Sequence, residues 1–265
     1  MSELRGFAVL GRPIAHSLSP VLHTAGYQAR GMSDCRYDAV LVEAPEQWLA
    51  VTDRLRGQGY RGFNLTRPLK ALAAASPRVA VHDPWGLSTG AVNTLTVLDG
   101  RLYGANTDAP ALLESLSERG IRPTQALVFG SGGAARASVA ALEALGAAVT
   151  LAARRGDRFP GRWVDFEQGL GMAEGADVIV NATPLGQAHE AAWERIPRIG
   201  AGQVAVDWVY APPATPFLEA AGQRGARLIG GLELLVRQAA LSWVHWFEEP
   251  GPLLEMGRAV GWAPA

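Results

Sequence analysis

Lys70 is the one lysine among the 24 Lys+Arg residues of this 265-residue chain; the other 23 are Arg. It closes the segment Gly62-Phe63-Asn64-Leu65-Thr66-Arg67-Pro68-Leu69-Lys70. Arg replaces Lys at most solvated or salt-bridged positions but hardly gives up its proton, whereas an ammonium group can be tuned to exchange one. A lysine kept beside Asn64 and Thr66 therefore points to proton transfer rather than chance. Asp108, in Gly104-Ala105-Asn106-Thr107-Asp108, is explained by capping a helix. Facing Lys70 across a cleft, it would also form a Lys–Asp pair for proton transfer. Asn93, in Ala91-Val92-Asn93-Thr94, offers an amide to a polar ligand.

Two further stretches suit anions. Gly11-Arg12-Pro13-Ile14-Ala15-His16-Ser17-Leu18-Ser19-Pro20 joins a strand to a helix. Ser19 before Pro20 has the form of an N-cap, and the Ser17 hydroxyl with the helix N-terminus would equally hold a carboxylate. These residues leave both readings open; His16 reads as structural. Ala126-Leu127-Val128-Phe129-Gly130-Ser131-Gly132-Gly133-Ala134-Ala135 runs strand, glycine turn, helix, and its glycines match G-x-G-x-x-A. Glycine lets the backbone turn sharply against a pyrophosphate, and the helix start offers that anion unpaired N–H groups. The next strand ends in Leu151-Ala152-Ala153-Arg154-Arg155, with no acid before Asp157. An acid there would bind a ribose diol, whereas guanidinium groups suit a 2′-phosphate, so the pattern favours NADP over NAD.

Alternating apolar runs and amphipathic stretches must position these residues. Strands are expected at Phe7–Leu10, Tyr37–Val42 and Gly62–Leu65, with helices after Ser19-Pro20 and over Glu46–Arg56. A hairpin, Val92–Leu98 with Arg101–Tyr103, turns at Asp99-Gly100. A helix capped by Asp108 runs to about Arg119 and stops at Gly120. A second series follows: strands at Ala126–Phe129, Ala148–Leu151, Val178–Asn181, Val204–Val206 and Arg227–Ile229. Its helices are Ala134–Leu145 and Pro216–Arg224, and Leu232–Phe247 and Pro252–Val260 close the chain. The expected fold is α/β with two domains and the active-site cleft between them. Residues 1–105, completed by C-terminal helices 236–265, form an N-terminal α/β substrate domain, and residues 106–235 a Rossmann-type dinucleotide-binding domain.

Composition narrows the classes. At 48% hydrophobic and 18% charged the chain is globular. A formal net charge of −1 argues against a nucleic-acid or membrane-surface binder, which needs a basic excess on one face. The one cysteine, Cys35, cannot form an internal disulfide and fits a reducing cytoplasm. The first apolar stretch, Phe7–Leu10, is too short for a signal peptide, and no apolar run reaches spanning length. No metal is expected.

Taken together and in order, GRPIAHSLSP, GFNLTRPLK, GAVNTL, NTD, GSGGAARA, NATPLG, DWVYAPPATP and GLELLVRQA resemble the shikimate dehydrogenase family. The resemblance spans nearly the whole chain and implies NADP-linked, reversible oxidation of the shikimate 3-hydroxyl to 3-dehydroshikimate. In aromatic amino acid (chorismate) biosynthesis the reaction runs toward reduction. It implies Lys70 and Asp108 as the catalytic pair, and Ser17 and Ser19 on the substrate carboxylate. Asn64, Thr66, Asn93, Tyr210 and Gln238 would contact the substrate hydroxyls and ring. Gly130, Ser131, Gly132, Gly133 and Ala134 would form the phosphate loop, and Arg154, with Arg155, would hold the 2′-phosphate. Asn181, Ala182 and Thr183 would line the cofactor cleft, with Trp208 and Gly231 near the nicotinamide. Three positions depart from the family: Ala153-Arg154-Arg155 stands where Asn-Arg-Thr is frequent, Trp208 where a smaller side chain such as Met is common, and Glu233 where an apolar or small residue is usual. The implied state is a cytoplasmic monomer or homodimer.

Rival readings are a paralogue acting on quinate or an aminated analogue, with NAD use as its mark, and a non-catalytic NADP-binding sensor on the same fold. A short-chain dehydrogenase is excluded, because its Tyr-x-x-x-Lys cannot exist when the only lysine has Thr66 four residues before it.

Overall fold

The apolar run Phe7-Ala8-Val9-Leu10 lies inside β1 (Arg5–Gly11), and all four side chains are buried. Alternate residues serve opposite cores: Phe7 and Val9 pack with Tyr27, Tyr37 and Trp243, whereas Ala8 and Leu10 pack with Phe63, Leu65 and Leu95. A strand covered on both faces has to be an interior strand of a mainly parallel sheet. The computed structural model bears this out; it describes residues 4–154, 161–188 and 190–264. The chain divides into two units, Met1–Thr107 with Val236–Ala265, and Asp108–Leu235.

In the first unit, α1 (Ser19–Ala29) leads to β2 (Cys35–Leu41), and α2 (Trp48–Arg56) to β3 (Tyr60–Leu65). Both strands pair parallel to β1, one on each side. Then follow α3 (Leu69–Ala74), β4 (Val79–Val81), α4 (Pro84–Thr89), β5 (Thr94–Leu98) and β6 (Arg101–Ala105). The sheet order is β2-β1-β3-β5-β6-β4. The β5–β6 hairpin is antiparallel, and its turn residues Asp99 and Gly100 have φ of 49° and 70°, the left-handed pair that a two-residue turn needs.

The second unit opens with α5 (Asp108–Glu118), β7 (Gln125–Phe129), α6 (Gly133–Ala144) and β8 (Ala148–Ala152). It continues with β9 (Trp163–Val164), α7 (Phe166–Met172), β10 (Val178–Asn181), β11 (Val204–Asp207), α8 (Pro216–Gly222) and β12 (Arg227–Ile229). Every pairing is parallel, in the order β12-β11-β10-β7-β8-β9. Period-two alternation again sorts the strands: Ala126, Val128, Val178, Val180, Val204 and Val206 face one core, and Leu127, Phe129, Ile179 and Ala205 the other. The chain builds outward from β7 in both directions, so the order reverses between β7 and β10, where ligands of such sheets bind. The last two helices are α9 (Gly231–Phe247), which begins in the second unit and ends in the first, and α10 (Leu253–Ala259), which packs on α1.

Five short elements are not anticipated from the sequence: α3, β4, α4, β9 and α7. Two of them carry sequence signals. Asp83 caps α4 by accepting the Gly86 N–H at 2.6 Å, with Pro84 following and Gly90 ending the helix at φ 57°. Asp165 and Gln168 form a reciprocal capping box on α7. No helix among the described residues is long and apolar enough to cross a membrane.

Candidate functional site

In the first unit the candidate polar residues gather at the carboxyl ends of β1 and β3. These ends are held together by backbone bonds from Thr66 N–H to Leu10 O (2.9 Å) and from Arg12 N–H to Arg67 O (3.0 Å). Gly11 lies under Thr66 and Arg67 so closely that a Cβ would collide with the Thr66 side chain. Asn64, the fifth residue of β3, is buried; its Nδ2 donates to Asn93 O (3.3 Å), Thr94 Oγ1 (3.1 Å) and Ser242 Oγ (2.9 Å). Its Oδ1 accepts the Tyr37 hydroxyl at 2.7 Å. Asn93, also buried, accepts the Thr107 N–H at 2.8 Å, and its Nδ2 donates to Thr107 Oγ1 (2.9 Å) and Gln238 Oε1 (3.4 Å). Lys70 is the second residue of α3, half-buried, and its carbonyl accepts Val92 N–H at 2.9 Å, one residue before Asn93.

Ser19 is not the N-cap expected from the sequence. It is the first residue of α1; the cap position is Leu18, which has no side-chain oxygen to accept a bond. Ser17 Oγ instead accepts the Ser19 N–H at 3.3 Å, so the preceding serine supplies the local acceptor. The Ser19 hydroxyl is buried within reach of Tyr37, whose hydroxyl burial pushes well above the usual phenol range. His23 stacks on Tyr37 at 4.1 Å and accepts Trp243 Nε1–H at 2.9 Å. Complete burial lowers the imidazole pKa to about 3, so this histidine is neutral. His16 is exposed.

In the second unit the glycine turn follows β7. Gly130 has φ 118°, and a Cβ there would lie 2.7 Å from Ala182 O, so only glycine fits. Gly132 caps α6, and a Cβ on it would meet nothing within 4 Å. Ser131 is exposed, Gly133 and Ala134 half-buried. Open space over a helix N-terminus of twelve residues, entered through a left-handed glycine, fits a pyrophosphate. Arg154 is exposed two residues past β8; Arg155 lies outside the described residues.

On the other side of β7, Asn181 ends β10. Its Oδ1 accepts Thr183 N–H (3.0 Å) and Oγ1–H (2.6 Å), and Ala182 N–H donates to Phe129 O at 2.8 Å. Trp208 N–H donates to Asn181 O at 3.0 Å, and its indole Nε1–H to Ser138 Oγ on α6 at 2.8 Å. The larger side chain is thus tied to the helix that follows the glycine turn. Gly231 starts α9 against Val209 O and Tyr210 N, where a Cβ would collide. Tyr210 is half-buried in the second unit, and Asp108, expected from the sequence as a helix cap, is instead the buried first residue of α5.

The charge of Glu233 is matched within its own unit. Arg119 grips it bidentately at 2.8 Å on both oxygens, and the Ser115 hydroxyl donates at 2.6 Å, joining the first turn of α9 to the end of α5. Sequence reasoning does not single out Tyr37, Thr94, Thr107, Ser242, Asp207 or Thr215. Thr94, Thr107, Asp207 and Thr215 sit inside recognised motifs; Tyr37 and Ser242 gain their partners only through folding.

A profile of the shikimate dehydrogenase substrate binding domain matches residues 9–95. The shikimate dehydrogenase (NADP(+)) of Anaeromyxobacter dehalogenans is 38% identical, with 96% of this chain and 95% of that protein covered. The solved structure of shikimate 5-dehydrogenase from Thermus thermophilus, in complex with NADP(H) and shikimate, is similar at TM-score 0.82 and 36% identity over 97% of this chain and 98% of that one. The enzyme from Aquifex aeolicus is similar at TM-score 0.86 and 29% identity over 97% and 98%. With identity at this level along nearly the whole length, the chain belongs to the shikimate dehydrogenase family.

Proposed function

We propose that this chain catalyses the reversible, NADP-linked reduction of 3-dehydroshikimate to shikimate, in the cytoplasm, for aromatic amino acid biosynthesis. One observation carries the reading: a single chain pairs the Asn64–Asn93–Gln238 polar cluster with a Rossmann glycine turn and a basic end to the next strand. When bound, the cofactor would supply hydride to the substrate carbonyl carbon in its reduced form, NADPH, and accept it back in its oxidised form in the reverse direction. Residues of the first unit hold the substrate. The Ser17 and Ser19 hydroxyls donate to its carboxylate, and Asn64, Thr66, Asn93 and Gln238, with Tyr210, meet its hydroxyls and ring. Because Asn93 is fixed by Thr107 and Gln238, its amide is oriented before substrate arrives. Lys70 passes a proton to the oxygen that gains charge during reduction, with Asp108 as its partner.

Gly130, Ser131, Gly132, Gly133 and Ala134 hold the pyrophosphate. Arg154, aided by Arg155, holds the 2′-phosphate, while Asn181, Ala182, Thr183, Trp208 and Gly231 line the nicotinamide end. The indole N–H of Trp208 is taken by Ser138, so this side chain contributes through its ring face. The test is an absorbance assay at the nicotinamide band, with shikimate or quinate and NADP or NAD. Shikimate with NADP should give the highest kcat/KM. Fastest turnover of quinate with NAD would indicate the quinate-type paralogue, and no turnover in any combination would leave a cofactor-binding sensor.

A further inference from the structure

Asp207 ends β11 and is fully buried. Its Oδ1 accepts Asn181 Nδ2–H and Val209 N–H, each at 2.9 Å, and its Oδ2 accepts the Thr215 hydroxyl at 2.6 Å. The second Asn181 amide hydrogen goes to Leu185 O at 3.1 Å, and Thr183 Oγ1 accepts Leu185 N–H at 3.1 Å. One carboxylate therefore fixes three segments: the turn 181–185 after β10, the stretch 208–210 after β11, and the start of α8, where Thr215 is the N-cap. Burial raises the Asp207 carboxyl to a pKa of about 6 despite these donors.

The strand order says which end of a dinucleotide these segments serve. β7, with the glycine turn, has β8 and Arg154 on one side and β10 and β11 on the other. With the pyrophosphate at the turn and the 2′-phosphate at Arg154, the nicotinamide half extends over the ends of β10 and β11. That step rests on the function proposed above. Ala182 O, in closest approach to Gly130, forms the start of this second side. We infer that Asp207 is a positioning residue for hydride transfer: enclosed itself, it holds Asn181–Thr183 and Trp208–Tyr210 in the register that orients the nicotinamide ring.

Steady-state kinetics of the full chain test this, with thermal melts to verify folding. Asp207→Ala should lower kcat by about 10²-fold, the scale expected when reacting groups shift by about 1 Å. The NADP-to-NAD ratio of kcat/KM should stay within about two-fold, because Arg154 is untouched. Asp207→Asn keeps an oxygen for Asn181 and Val209 and should recover most of the lost turnover. If Asp207→Ala does not fold, Asp207→Glu, which moves the carboxylate by one methylene and keeps its charge, carries the same expectation. Undiminished kcat in a folded variant overturns the inference, as does a cofactor ratio that collapses with kcat, or Asp207→Asn as impaired as Asp207→Ala. An inactive parent chain would instead defeat the proposed function.

Discussion

At the carboxyl ends of β1 and β3, polar side chains are held by one another: Asn64 by Tyr37, Thr94 and Ser242, and Asn93 by Thr107 and Gln238. At the carboxyl end of β7 the candidate binding groups are backbone, shaped by a left-handed Gly130 pressed on Ala182 and a helix start that no side chain caps. The first arrangement stores its specificity in side-chain identity and tolerates little substitution. The second stores it in the absence of side chains, and only its flanks, Arg154 on one side and the Asp207 network on the other, add side-chain chemistry. In the function proposed above, the proton-transferring Lys70 therefore belongs to the first unit, and capture of the cofactor phosphates to the second, which also holds its partner Asp108.

The strongest challenge to this division is Lys70→Ala, expected to lower kcat by roughly 10²–10⁴-fold. Lys70→Arg should lose most activity too, because the charge remains without the exchangeable proton. A fully active Lys70→Arg enzyme would reduce this position to a fixed cation.

Acid should separate the two units by sign. His23 has a folded pKa of about 3 against an ordinary 6.5, so the unfolded chain binds more protons in that window. Its stabilising contribution is complete above pH 6.5 and is lost as pH falls toward 3, on the order of 5 kcal/mol in all. Asp207 does the reverse. With a folded pKa of about 6 against 3.8, the folded state binds the extra proton, and stability falls as pH rises from 4 to 6, on the order of 3 kcal/mol. Denaturant melts across pH 4–7 should show the stability gap between Asp207→Asn and the parent closing toward pH 4. The acid loss of the parent should be smaller in His23→Gln, which keeps an acceptor for Trp243. Parallel pH curves in all three proteins would refute both assignments.

Arg154→Ala should have the smallest effect, lowering the NADP-to-NAD ratio of kcat/KM by about 10–100-fold through loss of a charge-assisted contact. The kcat with saturating NADP should change little. An unaltered ratio would move 2′-phosphate recognition away from this side chain.

Features written in consecutive residues are legible in the sequence. The strand–glycine–helix run of β7 and α6 is continuous, and the hairpin turn Asp99-Gly100 announces itself by composition. Serine before proline suggests a cap at Ser19, but the chain enters α1 one residue earlier and Ser17 supplies the acceptor. β4 and β9, three and two residues long, owe their existence to a neighbouring strand rather than to their own propensity. Pairings across distance leave no trace: Asn93 meets Gln238 145 residues later, and Arg119 meets Glu233 after 114. Glu233 looks anomalous only because its counter-ion is invisible in a linear reading. Asp207 lies inside a recognised motif, yet its three donors converge only once β10, β11 and α8 are assembled.

The half-buried Lys70 on α3 also makes the protein unusual material for a chemist. Amine-directed reagents have a single side-chain target in all 265 residues, besides the terminal amine. Reductive alkylation followed by intact mass would thus count, adduct by adduct, the occupancy of the one group proposed to carry the proton. Bound substrate that shields this amine would register as a missing mass increment, with no substitution made anywhere in the chain.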